Sequence, residues 1–158
     1  MKKVIITLLA LFFNIGASAM DIHLNDIELK DINNHQVTLE QYKGKPIYIK
    51  MWASWCPICL AGLYDINTLS ADKAKGFTIL TVVSPSHQNE KPTDKFIEWY
   101  KGLDYKHIVV LLDEKGELLK RANVQGYPSS LIVDKNLQLK ETIAGHLTNE
   151  QIIQAMKP

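Results

Sequence analysis

The cysteine pair is the feature that most constrains this chain. Cys56 and Cys59 are the only cysteines among 158 residues, and two residues separate them. A disulfide across so short a loop removes little entropy from the unfolded chain and is therefore a weak structural link. At this spacing one thiol can attack a disulfide while the second resolves the mixed disulfide that forms. The pair thus predicts a redox centre that switches between dithiol and disulfide.

The two cysteines are expected to differ in role. Cys56 stands at the predicted start of a helix, where unpaired backbone N–H groups favour a thiolate and lower the thiol pKa from about 8.5. Pro57 suits the first helical turn because that position needs no N–H partner. We therefore expect Cys56 to be the nucleophile and Cys59, one turn further on, to be the more buried resolving thiol.

A structural zinc site is the competing interpretation of the pair. Such sites need four ligands and usually contain two clusters of ligands. The other candidate ligands are scattered histidines, at positions His23, His35, His87, His107 and His146. This scatter favours the redox interpretation, and we expect no metal.

The pattern of apolar and amphipathic segments predicts an α/β fold. The predicted strands are 22–29, 37–39, 47–52, 77–83, 108–112, 129–133 and 138–143, and the predicted helices are 57–75, 93–101, 117–122 and one that begins at Thr148. Asn33-Asn34 favours a turn in an N-terminal β-hairpin extension, and Gln151 completes a capping box with Thr148. The order of these segments predicts a central mixed β-sheet with helices on both faces.

The first residues have the pattern of a signal peptide. Lys2 and Lys3 precede an apolar run over residues 4–13, and Ala17-Ser18-Ala19 supplies the small residues typical of a cleavage site. The apolar run is shorter than the ~20 residues of a membrane-spanning helix. We expect residues 1–19 to be removed and the protein to work in the periplasm or another extracytoplasmic space. Retention of the segment as an anchor is the alternative.

The remaining residues, 20–158, have the length of one domain. The chain carries 18 basic and 17 acidic residues, with no basic block and no acidic tail. This balance does not indicate a nucleic-acid partner, and we expect a monomer.

The residues around the pair resemble those of thioredoxin-like proteins. Met51-Trp52-Ala53-Ser54-Trp55-Cys56-Pro57-Ile58-Cys59 is similar to the signature FWAxWCxxC. Residues 29–45 resemble the lead-in of the TlpA-like branch, and Gly126-Tyr127-Pro128 falls where that fold has its active-site cis-proline. The resemblance covers nearly all of residues 27–156. It implies a thioredoxin fold and a thiol–disulfide oxidoreductase whose only redox group is the Cys56–Cys59 disulfide, without a separate cofactor.

Within that branch, the chain most resembles the N-terminal thioredoxin-like domain of secreted, fused methionine sulfoxide reductases. The shared features are Ile49-Lys50, Trp55-Cys56-Pro57-x-Cys59-Leu60, Phe96-x-x-Trp99-Tyr100-x-Gly102-Leu103 and Val124-x-x-Tyr127-Pro128-Ser129. This likeness implies electron delivery to a secreted methionine sulfoxide reductase, with a membrane thiol transporter of the DsbD/CcdA type restoring the dithiol.

The resemblance also implies roles for residues near the pair. Pro128 is expected to be cis, with its backbone beside the disulfide, where a client strand can pair with it; an ordinary proline at a strand entry is the alternative. Trp55, Pro57, Ile58 and Tyr127 are expected to form the client-binding surface. Simple packing is the alternative role for Tyr127.

Two positions depart from the family patterns. Lys50 stands six residues before Cys56, where thioredoxin has a buried carboxylate. Its ammonium could stabilise a thiolate, its neutral amine could accept a proton, or it could be a lysine with no catalytic part. Gly62 replaces the Glu that TlpA-like proteins usually have three residues after the second cysteine, so a proton-transfer role for that Glu does not carry over, and Asp65 is expected to be solvated.

Two other side chains near the motif are expected to lie outside the chemistry. His87 falls in a polar loop and is expected at the surface, with a place near the site as the alternative. Trp52 is expected to pack in the core, whereas Trp55 is expected to shield the disulfide.

Four functions compete. The first is reduction of a methionine sulfoxide reductase, and the second is reduction of apocytochrome c cysteines in cytochrome c maturation, the role of many TlpA-like proteins. Lys50 and Gly62 weigh against the second. A dithiol oxidase is the third, although DsbA-type oxidases carry a longer helical insertion than residues 84–107 allow. A redox-switched binding module is the fourth.

Overall fold

The computed structural model describes residues 21–157, so the predicted signal peptide lies outside the described residues. The strands are β1 (Ile22–His23), β2 (Glu28–Asp31), β3 (Gln36–Thr38), β4 (Ile47–Met51), β5 (Thr78–Val83), β6 (Val110–Leu112), β7 (Ser129–Val133) and β8 (Gln138–Ala144). The helices are α1 (Pro57–Ala61), α2 (Leu63–Ala71), α3 (Thr93–Tyr100), α4 (Glu117–Arg121) and α5 (Asn149–Ala155). None of the helices between residues 21 and 157 has the length and apolar character needed to cross a membrane.

The eight strands form one mixed sheet in the order β1-β8-β7-β4-β5-β6-β2-β3. β4 is central, because it pairs in parallel with β5 and antiparallel with β7. Buried side chains of α1, α2 and α5 form core clusters with the sheet on one side, and those of α4 belong to a separate cluster. The predicted thioredoxin-type α/β fold is confirmed.

The prediction of one continuous strand over residues 22–29 was wrong. Residues 22–29 form two strands, because the chain bends between Leu24 and Ile27, whose side chains are fully buried in the core. β1 pairs with β8 and β2 pairs with β6, at different places in the strand order. The predicted hairpin exists between β2 and β3. It is an extension of the main sheet, since β2 joins the edge formed by β6.

The prediction of a single helix over residues 57–75 was also wrong. The segment consists of α1 and α2, which meet at Gly62, and its helical part ends at Ala71. Gly62 has no side chain to stabilise a helical turn, and its amide lies 3.4 Å from the Ile58 carbonyl. After Asp72 the chain leaves the helix, and Gly76 adopts a positive φ of +79°. The predicted capping box at the start of α5 is confirmed.

The two faces of β4 differ in chemistry. Side chains alternate along a strand, and one face is entirely apolar, consisting of Ile47, Ile49 and Met51. The other face carries Tyr48 and Lys50, both buried. Lys50 therefore lies on the side of the sheet where α1 and α2 pack, directly before the turn that leads to the cysteines.

Candidate active site

Cys56 and Cys59 form a disulfide at the junction between the turn after β4 and α1. Cys56 is the N-cap residue of α1, and its Sγ accepts a hydrogen bond from the Cys59 N–H at 3.2 Å. Pro57 occupies the first turn of the helix. Cys56 retains 3% exposure whereas Cys59 has none. The geometry fits the predicted division into an attacking and a resolving thiol, because an N–H group aimed at Cys56 also stabilises its thiolate.

The strand opposite the cysteine turn brings Pro128 to the site. Ser129, at the start of β7, pairs with Met51 at the end of β4, so Pro128 faces the beginning of the turn. The Tyr127–Pro128 peptide bond is cis. The Ser129 hydroxyl donates to the Gly126 carbonyl at 2.8 Å and closes this bend. The segment thus lies opposite the first residues of the turn that leads to Cys56.

An aromatic contact connects the two segments. The rings of Trp55 and Tyr127 meet edge to face, with centroids 6.2 Å apart. Burial raises the pKa of Tyr127 to about 12, so its phenol is neutral. Trp55 is 48% exposed and Ile58 is 54% exposed. Together with the exposed Pro57, these side chains form an open apolar rim around the disulfide, and we call Trp55, Pro57, Ile58 and Tyr127 the rim.

The loop after β5 holds the cysteine turn through a buried carboxylate, Glu90. Its Oε2 accepts from the Ser54 backbone N–H at 2.5 Å, and its Oε1 accepts from the Ser54 hydroxyl and the Lys91 N–H, each at 2.6 Å. Lys91 Nζ donates to Ser54 Oγ at 2.6 Å and lies 5.4 Å from the centre of the Trp99 ring. Glu90 is only 5% exposed. The Glu90–Ser54–Lys91 network therefore fixes the residue pair that directly precedes Cys56.

The same loop orients Trp55. The indole Nε1 donates to the Gln88 carbonyl at 3.1 Å, and the Gln88 side chain donates to the Val124 carbonyl at the same distance. One loop residue thus connects the cysteine turn with the segment that leads to Pro128. The hydrogen bond to Gln88 orients the exposed ring of Trp55 relative to the loop.

His87 lies in this loop but does not face the disulfide. Its Nε2 lies 3.0 Å from the Glu114 carbonyl, and its ring packs on Gly116, where an added Cβ would come within 2.8 Å. Gly116 also has a positive φ of +64°. His87 therefore anchors the loop to the start of α4. Trp52 packs in the core as expected, against the rings of Phe96, Trp99 and Tyr100.

Lys50 lies beneath the motif helix. Its side chain is 2% exposed, and burial lowers its pKa to about 8, an effect that the Asp65 carboxylate opposes. An ammonium with this pKa is still mostly charged at pH 7. Buried lysines are costly unless they are paired, so the position places a titratable group within the fold beside the redox helix.

His146 approaches the same place from the segment between β8 and α5. A Cβ on Gly62 would lie 2.9 Å from His146 Cε1 and 3.3 Å from Lys50 Nζ. A side chain at position 62 would meet these two groups, so the imidazole or the ammonium would have to shift to admit it. The missing carboxylate at position 62 and the unusual lysine at position 50 are therefore parts of one arrangement.

Glu90 and His146 are the functional candidates that the sequence alone did not reveal. Each is far from the motif along the chain, and neither belongs to a recognisable spacing pattern. The one available signal for His146 was the pair of departures at Lys50 and Gly62. In the described part of the chain, no group of three or more His, Cys, Asp or Glu side chains could hold a metal ion.

Comparison with known proteins identifies the family. Residues 18–156 match the Redoxin family. This chain belongs to the Redoxin family. It is 57% identical to an uncharacterised protein of Haemophilus influenzae over 152 residues, which cover 96% of each protein. It is 30% identical to the thiol-disulfide oxidoreductase ResA of Geobacillus kaustophilus over 139 residues, or 84% of this chain and 75% of ResA.

Two solved structures are similar over most of the Redoxin chain. The pneumococcal exposed lipoprotein thioredoxin of Streptococcus pneumoniae is 41% identical, with a TM-score of 0.78, over 82% of this chain and 96% of that one. The N-terminal domain of PilB from Neisseria gonorrhoeae is 32% identical, with a TM-score of 0.74, over 79% of this chain and 83% of that domain. With its Cys-x-x-Cys pair, the protein is a thioredoxin-like thiol–disulfide oxidoreductase.

Proposed function

We propose that this protein is an exported reductant that passes electrons from a membrane thiol transporter of the DsbD/CcdA type to a secreted methionine sulfoxide reductase. The observation that carries the proposal is the Cys56–Cys59 pair beneath an open apolar rim, in a chain whose motifs resemble the thioredoxin-like domain of fused methionine sulfoxide reductases. The chain is also similar to the N-terminal domain of PilB from Neisseria gonorrhoeae.

The reaction proceeds by two thiol–disulfide exchanges. The Cys56 thiolate attacks one sulfur of the client disulfide, forms a mixed disulfide and releases the other client sulfur as a thiolate. Cys59 then loses its proton and attacks Cys56 Sγ, which breaks the bond to the client. The client leaves as a dithiol after taking up two protons, and the protein is left with the Cys56–Cys59 disulfide. Two electrons have moved from protein to client.

The rim and the bend at Pro128 are proposed to bind the client. Trp55, Pro57, Ile58 and Tyr127 offer apolar surface around the sulfur, and aromatic residues of this kind are common at the centres of interfaces. The backbone next to Pro128 is proposed to pair with an extended client segment. This arrangement would hold the client sulfur in line with Cys56.

Lys50 is proposed to act on Cys59. Because its ammonium remains mostly charged at pH 7 with a pKa of about 8, it would stabilise the Cys59 thiolate during resolution. Of the three roles open to this lysine, stabilisation of a thiolate is the one proposed, because Lys50 Nζ lies close to position 62, one turn after Cys59.

Export is supported by two observations. Residues 1–19 have the pattern of a signal peptide, and the similar protein from Streptococcus pneumoniae is described as an exposed lipoprotein. A reducing role outside the cytoplasm requires a continuous supply of electrons across the membrane, because such compartments are oxidising. A membrane thiol transporter meets this need.

Trapping tests the client. A Cys59→Ala variant, expressed in cells with its own leader, should accumulate mixed disulfides through Cys56, and mass spectrometry should recover a methionine sulfoxide reductase. The double variant Cys56→Ala/Cys59→Ala is the control and should recover none. Recovery of apocytochrome c in its place would replace the first function with the second.

The direction of electron flow and the catalytic activity need separate measurements. The protein should accelerate insulin reduction by dithiothreitol, and absence of turnover would favour the binding-module function. The reduction potential should lie well below the ~−120 mV of strong dithiol oxidases. A value near that figure would contradict the reducing role.

A further inference from the structure

The space beside Gly62 contains two titratable side chains. If Gly62 carried a Cβ, that atom would lie 2.9 Å from His146 Cε1, 3.1 Å from His146 Nδ1 and 3.3 Å from Lys50 Nζ. The imidazole and the ammonium therefore line one small space, in the place where a side chain at position 62 would begin. Relatives that carry a Glu at this position would have its carboxylate leave the helix from the same point.

This space lies one helical turn from the resolving thiol along the motif helix. Gly62 follows Cys59 by one turn, and residues three apart are neighbours on a helix surface. The Cα–Cβ bond of a helical residue tilts toward the N-terminus of the helix, so a Cβ at position 62 would project toward the turn that contains Cys59. Cys59 is fully buried and Lys50 nearly so. Water has little access to the Cys59 sulfur itself, so a neighbouring protein group is suited to accept its proton.

His146 has a ring nitrogen without a partner. Its Nδ1 is buried and lacks a hydrogen-bond partner among residues 21–157, although buried polar atoms are nearly always paired. The segment that carries it is fixed at both ends. Gly145 N donates to the Pro128 carbonyl at 2.9 Å, and the Thr148 capping box follows. The backbone on both sides of His146 is thus fixed, and in the tautomer that carries its proton on Nε2 the Nδ1 atom has a free lone pair.

Polar and titratable groups reach this place from several elements of the fold. Lys50 comes from β4, Cys59 from α1, Asp65 from α2 and His146 from the segment before α5. The Asp65 carboxylate acts on the Lys50 ammonium through space. From α5, the Asn149 side chain donates to the Asp65 carbonyl at 3.0 Å and adds no charge.

We propose that His146 Nδ1 accepts the proton of Cys59 during resolution, while the Lys50 ammonium stabilises the thiolate that remains. The inference rests on the proposed function only in taking Cys59 as the resolving thiol. Together the two side chains take the place of a carboxylate on the motif helix. In the forward step, Cys59 S–H loses its proton to Nδ1, the thiolate attacks Cys56 Sγ, and the Cys56–client bond breaks. The departing client thiolate then takes a proton and the imidazole returns to its neutral form.

A two-phase assay with the disulfide reagent DTNB tests this directly. The reduced protein should release a first equivalent of coloured thiolate when Cys56 attacks, and a second when Cys59 resolves the adduct. A Cys59→Ala variant should show the first phase alone and so identifies it. Both phases are followed by stopped flow between pH 6 and pH 8.

His146→Asn should slow the second phase at pH 7 by at least about tenfold, because general-base assistance is typically larger than this, and should leave the first phase within about twofold. Between pH 6 and pH 8 the second phase of the variant should rise about tenfold per pH unit, as expected for an unassisted thiol, and the wild-type second phase should rise less steeply. His107→Asn, a change at an exposed histidine, is the matched control and should behave as wild type in both phases.

Two results would overturn the inference. One is an unchanged pH profile of the second phase in His146→Asn, and the other is an equal slowing of both phases, which indicates general distortion. If His146→Asn does not fold, His146→Gln is read in the same way. The ratio of the two phases is measured within one sample, so loss of folded protein alone does not change it. Because DTNB replaces the client, an incorrect client leaves this result intact, and failure here leaves the trapping experiment intact.

Discussion

The two cysteines are held by surroundings of opposite kinds. On the Cys56 side, the Glu90–Ser54–Lys91 network satisfies a buried carboxylate with three hydrogen bonds and fixes the preceding turn. On the Cys59 side, His146 Nδ1 is buried without a partner among the described residues, and Lys50 has a pKa lowered by burial.

The difference indicates a division of labour. A nucleophile that must meet incoming clients needs a fixed position, and a satisfied polar network provides rigidity. A resolving thiol that must lose its proton inside the fold needs neighbours whose protonation can change, and such neighbours are costly to bury. We therefore expect the surroundings of Cys56 to raise the free energy of unfolding and those of Cys59 to lower it.

The largest expected effect is on the Cys56 side. Glu90→Ala should lower the free energy of unfolding by about 3 kcal/mol, because it leaves the Ser54 and Lys91 N–H groups without their acceptor. Urea unfolding measures the change. Glu98→Ala, which removes an exposed ion pair with Lys95, should stay within about 0.5 kcal/mol. Equal effects of the two variants would show that the network does not stabilise the fold.

On the Cys59 side, Lys50→Met should stabilise the protein by about 2 kcal/mol at pH 7, since it removes a charge that burial disfavours. The folded state has a Lys50 pKa of about 8 and the unfolded chain one of about 10.4. Between these values the unfolded chain binds more protons, so wild-type stability rises with pH and the advantage of the variant shrinks.

The control for this change is Lys95→Met at an exposed position. Unfolding in urea at pH 7 and pH 10 should show a pH-dependent difference for Lys50→Met and almost none for Lys95→Met. A destabilised Lys50→Met protein at pH 7 would mean that the ammonium is well paired and that the contrast between the two sides is wrong.

The space between Gly62 and His146 gives a smaller effect. In a His146→Ala background, Gly62→Ala should stabilise the protein by about 1 kcal/mol, the difference in helix propensity between alanine and glycine. In the wild-type background the same change meets the imidazole ring and should lose this gain. A double-mutant cycle should give a coupling of about 1 kcal/mol, and additive effects would show that the ring does not occupy this space.

Lys91, the outer member of the Glu90–Ser54–Lys91 network, should contribute least to stability. Lys91→Met removes one hydrogen bond to Ser54 Oγ and a contact with the Trp99 ring, at a partly exposed position. The expected loss is about 0.5 kcal/mol, against no change for Lys101→Met at an exposed position. A loss as large as that of Glu90→Ala would place the centre of the network at Lys91.

The sequence predicted the parts of this arrangement that are encoded locally. The cysteine pair, its helix start and the position of Pro128 follow from spacing and from recognisable motifs. Two features could not be predicted from local patterns. Gly62 divides the motif helix, and residues 22–29 form two strands that pair with different partners. Both depend on which distant side chains fill the neighbouring space, and periodicity does not record this.

Glu90 and His146 were missed for the same reason. Glu90 bonds to a residue 36 positions away, and His146 meets Gly62 across an even longer separation along the chain. Neither the buried carboxylate of Glu90 nor the partly buried imidazole of His146 has distinctive sequence neighbours. The departures at Lys50 and Gly62 indicated where the family pattern fails, and the fold was needed to show what replaces it.

Alkylation of the reduced protein tests the division of labour most directly. Limited iodoacetamide at pH 7, followed by peptide mass mapping, measures the reactivity of each thiol separately. We expect Cys56 to react at least about tenfold faster than Cys59, because it combines residual exposure with a stabilised thiolate. Equal labelling of the two cysteines, or faster labelling of Cys59, would contradict the assignment of Cys56 as the nucleophile.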